Sequence, residues 1–522
     1  MMAAGGDHAL AVAPAVERPV LLPDLPFPGS TLGAVAHRAR STADLPDPGA
    51  PVADLVMDSR RVRPGSLFAC VRGARADGHR HAVEAVAAGA VAVLADRSDR
   101  LPADLGVPVV VVPSVRAVLG PVGALLAGDP ADRLRLATVT GSNGKTTTST
   151  LLAGVLDRCG LVTTVGATFG PHTRSTALTT PEAPDLHRLL RWMVQRGAAS
   201  AVVEASSIAL DMGRVDALPA EVAVFTGFEA DHLDHHGTLE QYWASKAELF
   251  TPDRTRAAVV VTDDPWGRRL ADQARVPVTR VGRDADCDVR VLRGTSDATG
   301  TEVLLVHDGR RHLLRTPVVG HVHVTNVAAA WAAAVVLGCD PEAVRDRLAV
   351  VLPPPGRNTL LSAPGSPLVV VDYAHTPAAL AAAVSTAADL RPCGRVHLVL
   401  GARGARDRWK RQGLGEAARA ADDVWLTNEG SHGEDPAAIV AELAVGLLGS
   451  DARVQTVLDR RGAVTRAGDT AGPDDVVLVV GRGHETLLQD APGQVDAATA
   501  VRFSDADVAR AALGRGRRRA AC

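Results

Sequence analysis

The sequence predicts an α/β protein in which parallel sheets are covered by helices and the chain is divided into three domains. Its 522 residues exceed a single domain of about 100–200 residues. From Leu134 onwards, apolar runs of strand length alternate with polar loops and helical segments, and continuously apolar strands are typical of parallel sheets buried on both faces. The break Pro353-Pro354-Pro355-Gly356 divides this series in two. We therefore expect a small α/β domain followed by two larger, doubly wound ones.

The domain boundaries are predicted from changes in composition along the chain. An opening segment rich in Ala, Pro and Gly is typical of a flexible leader, and the Arg cluster at residues 515–519 is typical of a solvated tail. The predicted segments are a leader (1–25), a small N-terminal domain (26–126), a central domain (127–354), a C-terminal domain (355–514) and a basic tail (515–522).

The elements themselves are predicted from runs of apolar residues. A helix of ten or more residues follows the first strand of the central domain and is closed by Gly160. The predicted strands are 134–140, 201–205, 222–228 and 257–262 in the central domain, and 368–372, 396–400, 424–427 and 476–480 in the C-terminal domain; the predicted helices include 81–89 and 147–159.

Composition and charge exclude several classes of protein. Apolar residues make up 46% and charged residues 22%, which excludes a disordered or fibrous chain. Lys plus Arg number 56 against 59 Asp plus Glu, so no overall positive field favours nucleic acid binding. Six widely spaced cysteines without a Cys-x-x-Cys pair fit a reducing compartment. Without a signal peptide or an apolar run long enough to span a bilayer, we expect a cytoplasmic protein that does not insert into membranes.

Polar side chains follow the predicted strands of both large domains at the points where those strands end. In open α/β sheets, ligands bind at the carboxyl ends of the strands. We therefore expect these side chains to line binding clefts. The residues are Glu204, Asp231, His232, Asp372, His375, Arg406, Glu429 and Glu485.

The most specific local pattern is a Gly-rich loop between a predicted strand and a predicted helix. Its glycines allow main-chain N–H groups to surround a phosphate, and the helix N-terminus adds partial positive charge. Lys145 can reach the β- and γ-phosphates, and the hydroxyl of Thr146 can ligate Mg²⁺. The pattern predicts nucleoside triphosphate binding and leaves a kinase, an ATPase and a ligase equally open. The loop residues are Gly141, Ser142, Asn143, Gly144, Lys145, Thr146 and Thr147.

A second polar cluster, residues 231–237, follows the predicted strand 222–228. Taken alone, it is more typical of a polar loop than of a metal site. Its place in the same predicted sheet as the phosphate loop favours a metal site, because Glu204 and Thr146 offer the oxygen ligands that Mg²⁺ prefers and one imidazole is tolerated. The pattern around Lys246 favours an exposed helix lysine.

Taken in order, these motifs resemble the Mur ligases, ATP-dependent amide-forming enzymes of peptidoglycan precursor synthesis. The resemblance extends over residues 56–512 and is strongest to the branch that adds the third residue of the stem peptide. It implies a P-loop ATPase-type central domain and a Rossmann-like C-terminal domain. The matching motifs are Asp58-Ser59-Arg60, the short GxxGKTT loop, Thr179-Thr180-Pro181, Glu204-Ala205-Ser206-Ser207, Arg214, Asp231-His232-Leu233-Asp234, Lys246, Asp372-Tyr373-Ala374-His375, Arg406-Asp407 and Gly481-Arg482-Gly483-His484-Glu485.

The resemblance implies ATP and Mg²⁺ as cofactors of a monomer that joins a free amino acid to a UDP-N-acetylmuramoyl-peptide-like substrate. The acceptor carboxylate would attack the γ-phosphate, and the amine would then attack the acyl phosphate. Lys145, His232 and Lys246 would be catalytic, with Lys246 N-carbamylated. Thr146 and Glu204 would hold one Mg²⁺, and His232 and the carbamylated Lys246 the second.

The resemblance also assigns the binding residues. The ATP phosphates would lie in the loop already described, and the amino acid would be held by residues of the C-terminal domain. The adenine and ribose would be positioned by Asn326, Arg357, Asp372 and His375, the acceptor by Ser59, Thr179, Thr180, Ser206 and Arg214, and the amino acid by Arg406, Glu429, His432, Gly481 and Glu485.

The motifs that read the amino acid depart from the family pattern. The family's Asp-Asn-Pro-Arg motif, which reads meso-diaminopimelate, aligns with Glu429-Gly430-Ser431-His432, and residues 401–406 replace a loop richer in Gly and Cys. His432 lacks the planar fork of arginine, and Glu485 adds a second acid. These changes predict that diaminopimelate is a poor substrate and that a basic or small neutral amino acid is preferred. A paralogue that uses another carboxylate in natural-product peptide assembly is the alternative, and a catalytically silent homologue is a third reading, which the intact phosphate loop opposes.

Overall fold

A computed structural model describes residues 27–43, 45–73, 76–489 and 501–520, with side chains up to residue 513. The chain divides into two compact units, one of residues 1–134 and 158–199 and the other of residues 135–157 and 200–522. The predicted leader lies outside the described residues. The backbone of the predicted basic tail continues the helix Asp505–Ala520, and its last two residues lie outside the described part.

The first unit contains a parallel sheet of short apolar strands packed against helices. Leu55, Leu67 and Leu94 of the strands lie in one buried cluster with helical residues. Arg188, on the helix Ala183–Gln195, forms an ion pair with Asp54 of this sheet. The parallel strands are Asp54–Val56, Ser66–Ala69, Ala90–Ala95 and Val109–Val111, the antiparallel strands are Ser30–Thr31 with Pro51–Val52 and Cys159–Thr163 with Gly166–Phe169 and His172–Arg174, and the helices are Leu32–Arg38, Ala82–Ala87, Val115–Ala127 and Ala183–Gln195.

The central sheet of the second unit begins as a parallel sheet and ends as an antiparallel one. Its parallel strands are almost completely buried, as in Ala220–Phe225, whereas Arg310–Thr316 alternates exposed and buried residues because one face meets solvent. The strand order is Ser200–Glu204, Arg135–Thr140, Ala220–Phe225, Thr255–Val261, Val278–Gly282, Val289–Asp297, Gly300–His307 and Arg310–Thr316, and the helices are Lys145–Val155, Ser207–Asp211, Leu233–His236, Leu239–Ala247, Pro265–Gln273, His323–Val336 and Pro341–Leu348.

The second sheet of this unit is doubly wound. Val370, Leu398 and Leu478 belong to the apolar cluster on one face, and their neighbours Val399 and Val477 belong to the cluster on the other. The strand order is Thr359–Leu361 (antiparallel), Leu368–Val371, Val476–Val479, Val396–Leu400, Asp423–Leu426 and Arg453–Thr456, a separate pair joins Leu487–Leu488 to Val501–Arg502, and the helices are Pro377–Leu390, Arg411–Ala417, Pro436–Gly446, Arg460–Thr470 and Asp505–Ala520.

The predicted α/β class with parallel sheets is confirmed, and the predicted strands correspond to observed ones within two or three residues. The predicted helix 147–159 is wrong at both ends. It begins at Lys145, directly after the left-handed Gly144, and it ends at Val155 because Leu156 adopts an extended conformation. The predicted domain boundaries stay predictions. Among the described helices, none combines the length and apolarity that crossing a membrane requires.

Candidate active site

The phosphate loop is shaped by two glycines that no other residue could replace without strain. Gly141 has φ +146°, and a Cβ there would lie 2.1 Å from Thr226 Oγ1. Gly144 has φ +84°, and a Cβ there would lie 2.3 Å from Asn326 Oδ1. The loop therefore packs tightly against the strand end at Thr226 and against the helix that carries Asn326. This places the predicted ATP-binding residue Asn326 beside the loop.

The ammonium group of Lys145 is held inside the loop by main-chain oxygens. Its Nζ donates to the carbonyl of Gly141 at 3.0 Å and to that of Ser142 at 2.7 Å. Loss of water around the ammonium lowers the pKa of Lys145, although Glu204 and Asp231 act in the opposite direction. The cation is thus fixed at the loop by neutral acceptors, where a phosphate would meet it.

Thr146, in the first turn of Lys145–Val155, and Glu204, at the end of Ser200–Glu204, bring two oxygen atoms together. The Thr146 hydroxyl donates to Glu204 Oε2 at 3.0 Å, and Arg357 Nη2 donates to the same hydroxyl at 3.1 Å. The guanidinium of Arg357 also stacks on the ring of Tyr373, 4.3 Å from its centre. Two buried oxygen donors beside a phosphate loop fit the preference of Mg²⁺ for hard ligands.

Lys246 is buried, so the prediction of an exposed helix lysine is wrong. Its residue is only 1% exposed, and its Nζ donates to the carbonyl of Gly141 at 2.7 Å. The ammonium also lies 4.5 Å from the centre of the Tyr242 ring. Burial, followed by repulsion from Lys145, sets the pKa of Lys246 well below its usual value. A lysine in this setting has an unusually large neutral fraction, which is the nucleophilic form of an amine.

The segment that follows Ala220–Phe225 carries His232 into the same cleft. His232 has φ +51° and begins the single helical turn Leu233–His236. Burial lowers the pKa of His232 to about 4, and the attraction of Asp231 only partly opposes this. The imidazole is therefore neutral at pH 7, which is the form that ligates metals.

Asp231 and Asp407 are neutralised by a lysine. Ligand atoms of Asp231, His232 and Asp407 lie within 4.8 Å of one another, a spacing that could hold a cation. However, Lys410 Nζ lies 3.2 Å from Asp231 Oδ1 and 3.1 Å from Asp407 Oδ2. His375 Nε2 approaches the second oxygen of Asp231 at 3.5 Å. The two carboxylates thus already hold an ammonium group.

The predicted adenine and ribose residues have different surroundings. The amide of Asn326 contacts His323 Nδ1 at 3.1 Å, and His375 Nδ1 contacts the carbonyl of Tyr373 at 3.0 Å. Asp372 accepts hydrogen bonds from the main-chain N–H groups of residues 358 and 374, at 2.7 and 2.8 Å. Asp372 therefore holds its own loop in shape.

The predicted acceptor-binding residues are divided between the two units. Thr179 donates to Thr164 Oγ1 at 3.2 Å in the first unit, and Ser206 caps the helix Ser207–Asp211 in the second. Their shared role stays a prediction. Ser59, Thr179 and Thr180 belong to the first unit, and Ser206 and Arg214 belong to the second.

A cavity of the second unit is lined by three of the predicted amino-acid-binding residues, Arg406, Glu429 and Gly481, whereas His432 and Glu485 are not among its lining residues. Gly404 N donates to Gly430 O at 2.9 Å, so the loops 401–406 and 429–432 are joined. A Cβ on Gly481 would lie 2.0 Å from Glu429 Oε2, which shows how closely that carboxylate approaches the backbone. The lining residues are His232, Tyr373, His375, Gly401, Ala402, Arg403, Arg406, Asp407, Lys410, Arg411, Leu414, Glu429 and Gly481.

Arg403 lines this cavity and was not among the predicted site residues. Its Nη2 contacts both oxygens of Glu485, at 2.7 and 2.6 Å. Burial alone would raise the pKa of Glu485, but the charge and hydrogen bonds of Arg403, together with the charges of Arg482 and His484, lower that pKa overall. His432 has φ +49° and is not among the residues that line the cavity. The altered loop 401–406 was the signal that could have identified Arg403.

Glu229 is a second residue that the sequence did not single out. Its carboxylate accepts hydrogen bonds from Asn143 Nδ2 at 2.5 Å, from Thr376 Oγ1 at 3.1 Å and from the main-chain N–H of Ala378 at 3.1 Å. Glu229 therefore connects the phosphate loop directly to the first turn of Pro377–Leu390.

Comparison with known families agrees with this arrangement. Residues 52–123 match "Mur ligase family, catalytic domain", residues 139–334 match "Mur ligase middle domain" and residues 356–483 match "Mur ligase, glutamate ligase domain". The chain belongs to the Mur ligase family and is an ATP-dependent amide-forming ligase. The predicted family, enzyme class and three-domain α/β architecture are confirmed.

Within the family, the similar proteins share one name. A UDP-N-acetylmuramoyl-L-alanyl-D-glutamate–2,6-diaminopimelate ligase of Alkalilimnicola ehrlichii is 39% identical over 84% of this chain and 91% of its own length. One of Streptomyces coelicolor is 38% identical over 90% of this chain and 94% of its own length. A solved structure with that enzyme name has a TM-score of 0.64 at 29% identity and covers 94% of this chain and 99% of its own.

A more distant neighbour shares the fold. The MurF ligase of Thermotoga maritima in complex with ADP has a TM-score of 0.63 at 21% identity and covers 88% of this chain and 98% of its own.

The predicted preference against diaminopimelate is wrong. Relatives at 37–39% identity are diaminopimelate ligases by name. The prediction treated Glu485 as an acid waiting for a cationic side chain. In the structure that carboxylate is paired with Arg403, whereas the prediction had counted it as unpaired.

Proposed function

We propose that the protein adds 2,6-diaminopimelate to UDP-N-acetylmuramoyl-L-alanyl-D-glutamate with hydrolysis of ATP to ADP. The observation that carries the proposal is the convergence, in one cleft, of the phosphate loop, the buried cations Lys145 and Lys246 and the oxygen pair of Thr146 and Glu204. The names of the relatives at 37–39% identity support the choice of substrates.

The chemistry needs an acceptor carboxylate activated as an acyl phosphate and then attacked by an amine. The ammonium of Lys145 would attract the transferring phosphoryl group, and the N–H groups of the loop would bind the remaining phosphate oxygens. Arg357, fixed against Tyr373, carries a further positive charge to Thr146. Because water would hydrolyse an acyl phosphate, a cleft lined by buried side chains favours transfer to the amine.

The oxygen donors of the cleft suit Mg²⁺. Thr146 and Glu204 would hold one ion, and His232 together with an N-carbamylated Lys246 would hold a second. When bound, these ions neutralise the charge that develops on the phosphate oxygens. The lowered pKa of Lys246 supports carbamylation, because the neutral amine is the form that adds to CO₂.

The remaining site residues keep their predicted roles in this proposal. Arg406 would pair with a carboxylate of the amino acid, and Asn326 would lie near the nucleotide. Ser59, Thr179, Thr180, Ser206 and Arg214 would bind the acceptor. A monomer in the cytoplasm remains the expected state.

The test uses the purified full chain with ATP, Mg²⁺ and UDP-N-acetylmuramoyl-L-alanyl-D-glutamate. With diaminopimelate, we expect ADP release that depends on both substrates and a product heavier by one diaminopimelate less one water. A reaction without the acceptor is the control for background ATP hydrolysis. ADP formation no greater than in that control would refute the proposal.

A further inference from the structure

We propose that Arg403 is the residue that selects diaminopimelate, by binding the carboxylate at the distal end of the amino acid. This inference rests on the proposed function and adds a specificity residue to it. In the family pattern, the arginine that binds diaminopimelate aligns with residue 432, where this chain has histidine. The inference assigns that binding role to Arg403 instead.

The first argument is the position of the guanidinium. Arg403 lines the cavity that also holds Arg406, Glu429 and Gly481. About a quarter of its side chain (28%) and a fifth of that of Glu485 (21%) remain exposed. Arg403 is therefore accessible from the cavity, and the partly exposed carboxylate of Glu485 lies directly beside its guanidinium.

The second argument is the unused hydrogen-bonding capacity of Arg403. Both contacts to Glu485 are made by Nη2 alone, at 2.7 and 2.6 Å. Among the described residues, the buried Nε of Arg403 has no acceptor. A buried donor without a partner is costly, and a carboxylate is the acceptor that best fits a guanidinium. The guanidinium thus retains hydrogen-bonding capacity that Glu485 does not use.

The third argument is that the loop around Arg403 is firmly fixed. Arg411 donates to both oxygens of Glu434 at 2.7 Å and to the carbonyl of Arg403 at 3.4 Å. Ala405 N also donates to Glu434, at 2.9 Å, and Gly404 N donates to Gly430 O at 2.9 Å. Residue 403 is therefore held at its own carbonyl and is followed by two anchored residues, which gives it the fixed position that ligand recognition requires.

The charges of the pair match the distal end of diaminopimelate, which carries an ammonium and a carboxylate on one carbon. The ligand carboxylate binds Arg403, and the ligand ammonium binds Glu485. Both protein groups therefore stay paired with an opposite charge, and no buried charge is left unpaired. Lysine has the ammonium but not the carboxylate. It would satisfy Glu485 and leave the guanidinium without a new acceptor.

The experiment compares kcat and KM for diaminopimelate and lysine in the full-length enzyme with ATP and acceptor saturating. For Arg403→Gln we expect the KM for diaminopimelate to rise about 100-fold, because a charge-assisted pair of hydrogen bonds is lost. The kcat/KM for lysine should stay within about threefold, because lysine has no distal carboxylate for this residue to bind. The ratio between the two substrates is the decisive quantity.

A rescue variant separates recognition from structural support. In Arg403→Gly/His432→Arg the arginine stands at the family position on the adjoining loop, and we expect most of the preference for diaminopimelate to return. Arg408→Gln is the matched control, since it removes an arginine from the same segment whose side chain is 76% exposed. It should change neither KM.

Arg403→Lys keeps the inference falsifiable if Arg403→Gln does not fold. It retains the charge that neutralises Glu485 but loses the planar fork, so we expect about a tenfold rise in KM for diaminopimelate alone. An unchanged KM, or an equal loss for diaminopimelate and lysine, would overturn the role of Arg403. If the unaltered enzyme does not use diaminopimelate, the proposed function fails instead, and this shows before any variant is compared.

Discussion

At the phosphate loop two lysine side chains face main-chain carbonyls, whereas in the amino-acid pocket Arg403, Lys410 and Arg411 face carboxylates. Lys145 and Lys246 both donate to the carbonyl of Gly141, and neither forms an ion pair within the described part of the chain. The pocket contains three paired sets: Arg403 with Glu485, Lys410 with Asp231 and Asp407, and Arg411 with Glu434.

This difference corresponds to the charges of the two expected ligands. A nucleoside triphosphate is strongly anionic and is attracted by the ammonium of Lys145, which is bound by carbonyls rather than by a carboxylate. Lys246, once carbamylated as proposed, would instead contribute through a bound Mg²⁺. A zwitterionic amino acid has little net charge and is better matched by groups of both signs. The comparison shows that an α/β cleft can present either unpaired charged groups or ion pairs, and that the choice follows the charge of the ligand that must bind.

The largest expected effect is at the phosphate side. Replacing Lys246 by alanine should lower turnover at least about a thousandfold, because the oxygen ligand that its carbamate would supply is lost. Added acetate should restore part of the activity by taking the vacant position. Activity is measured as ADP release, with Gln241→Ala on the exposed side of the same helix as the control. Full activity of the Lys246→Ala enzyme would contradict a role for Lys246 in the reaction.

Lys145→Ala tests the second carbonyl-bound cation. Since a preorganised donor to a developing negative charge contributes about 2.7–4 kcal/mol, turnover should fall at least about a hundredfold. The melting temperature should change little, because Lys145 contacts only two carbonyls of its own loop. Single-turnover ADP formation measures the effect, and a rate near that of the unaltered enzyme would contradict the role of the loop.

The smallest expected effect is on stability, at the paired side. Arg411 holds the pKa of Glu434 at about 2, below its usual 4.5. A lowered pKa in the folded state contributes stability that is present above about pH 4.5 and is lost as the pH falls towards 2. Glu434→Gln should therefore flatten the acid side of the stability profile, measured by urea unfolding between pH 3 and 7.

Glu416→Gln is the control for that measurement, because Glu416 is exposed and contacts the neutral amide of Gln412. Its stability profile should keep the slope of the unaltered protein. If Glu434→Gln keeps the slope of the unaltered protein, the ion pair with Arg411 does not lower the pKa of Glu434 in the folded state relative to the unfolded state.

The parallel strands could be predicted because their signal is local. An apolar run such as Val396–Leu400 is buried on both faces and has the same bounds in the sequence and in the structure. The antiparallel strands from Val289 onwards escaped prediction because their mixture of exposed and buried residues resembles a polar loop. The helix at Lys145 was misplaced because its start depends on the conformation of Gly144.

Site residues could be predicted where one contiguous motif forms the whole binding geometry. The phosphate loop is contiguous, so its residues could be identified from spacing alone. Lys246 could not, because its burial depends on Gly141, which is 105 residues away in the chain. The amino-acid preference was wrong for a similar reason. The sequence showed the missing arginine at position 432, but not that a guanidinium from position 403 meets Glu485.

The hydrogen bond between Gly404 N and Gly430 O has a historical consequence. Because the two loops are joined at this point, an arginine on one loop can replace an arginine lost from the other without a change in the backbone of the pocket. An ancestor that first lost the arginine at position 432 would have had no group to receive the distal carboxylate. With Arg403 in its proposed role, we expect its gain to have preceded that loss, and reconstructed ancestral sequences should include a form with both arginines.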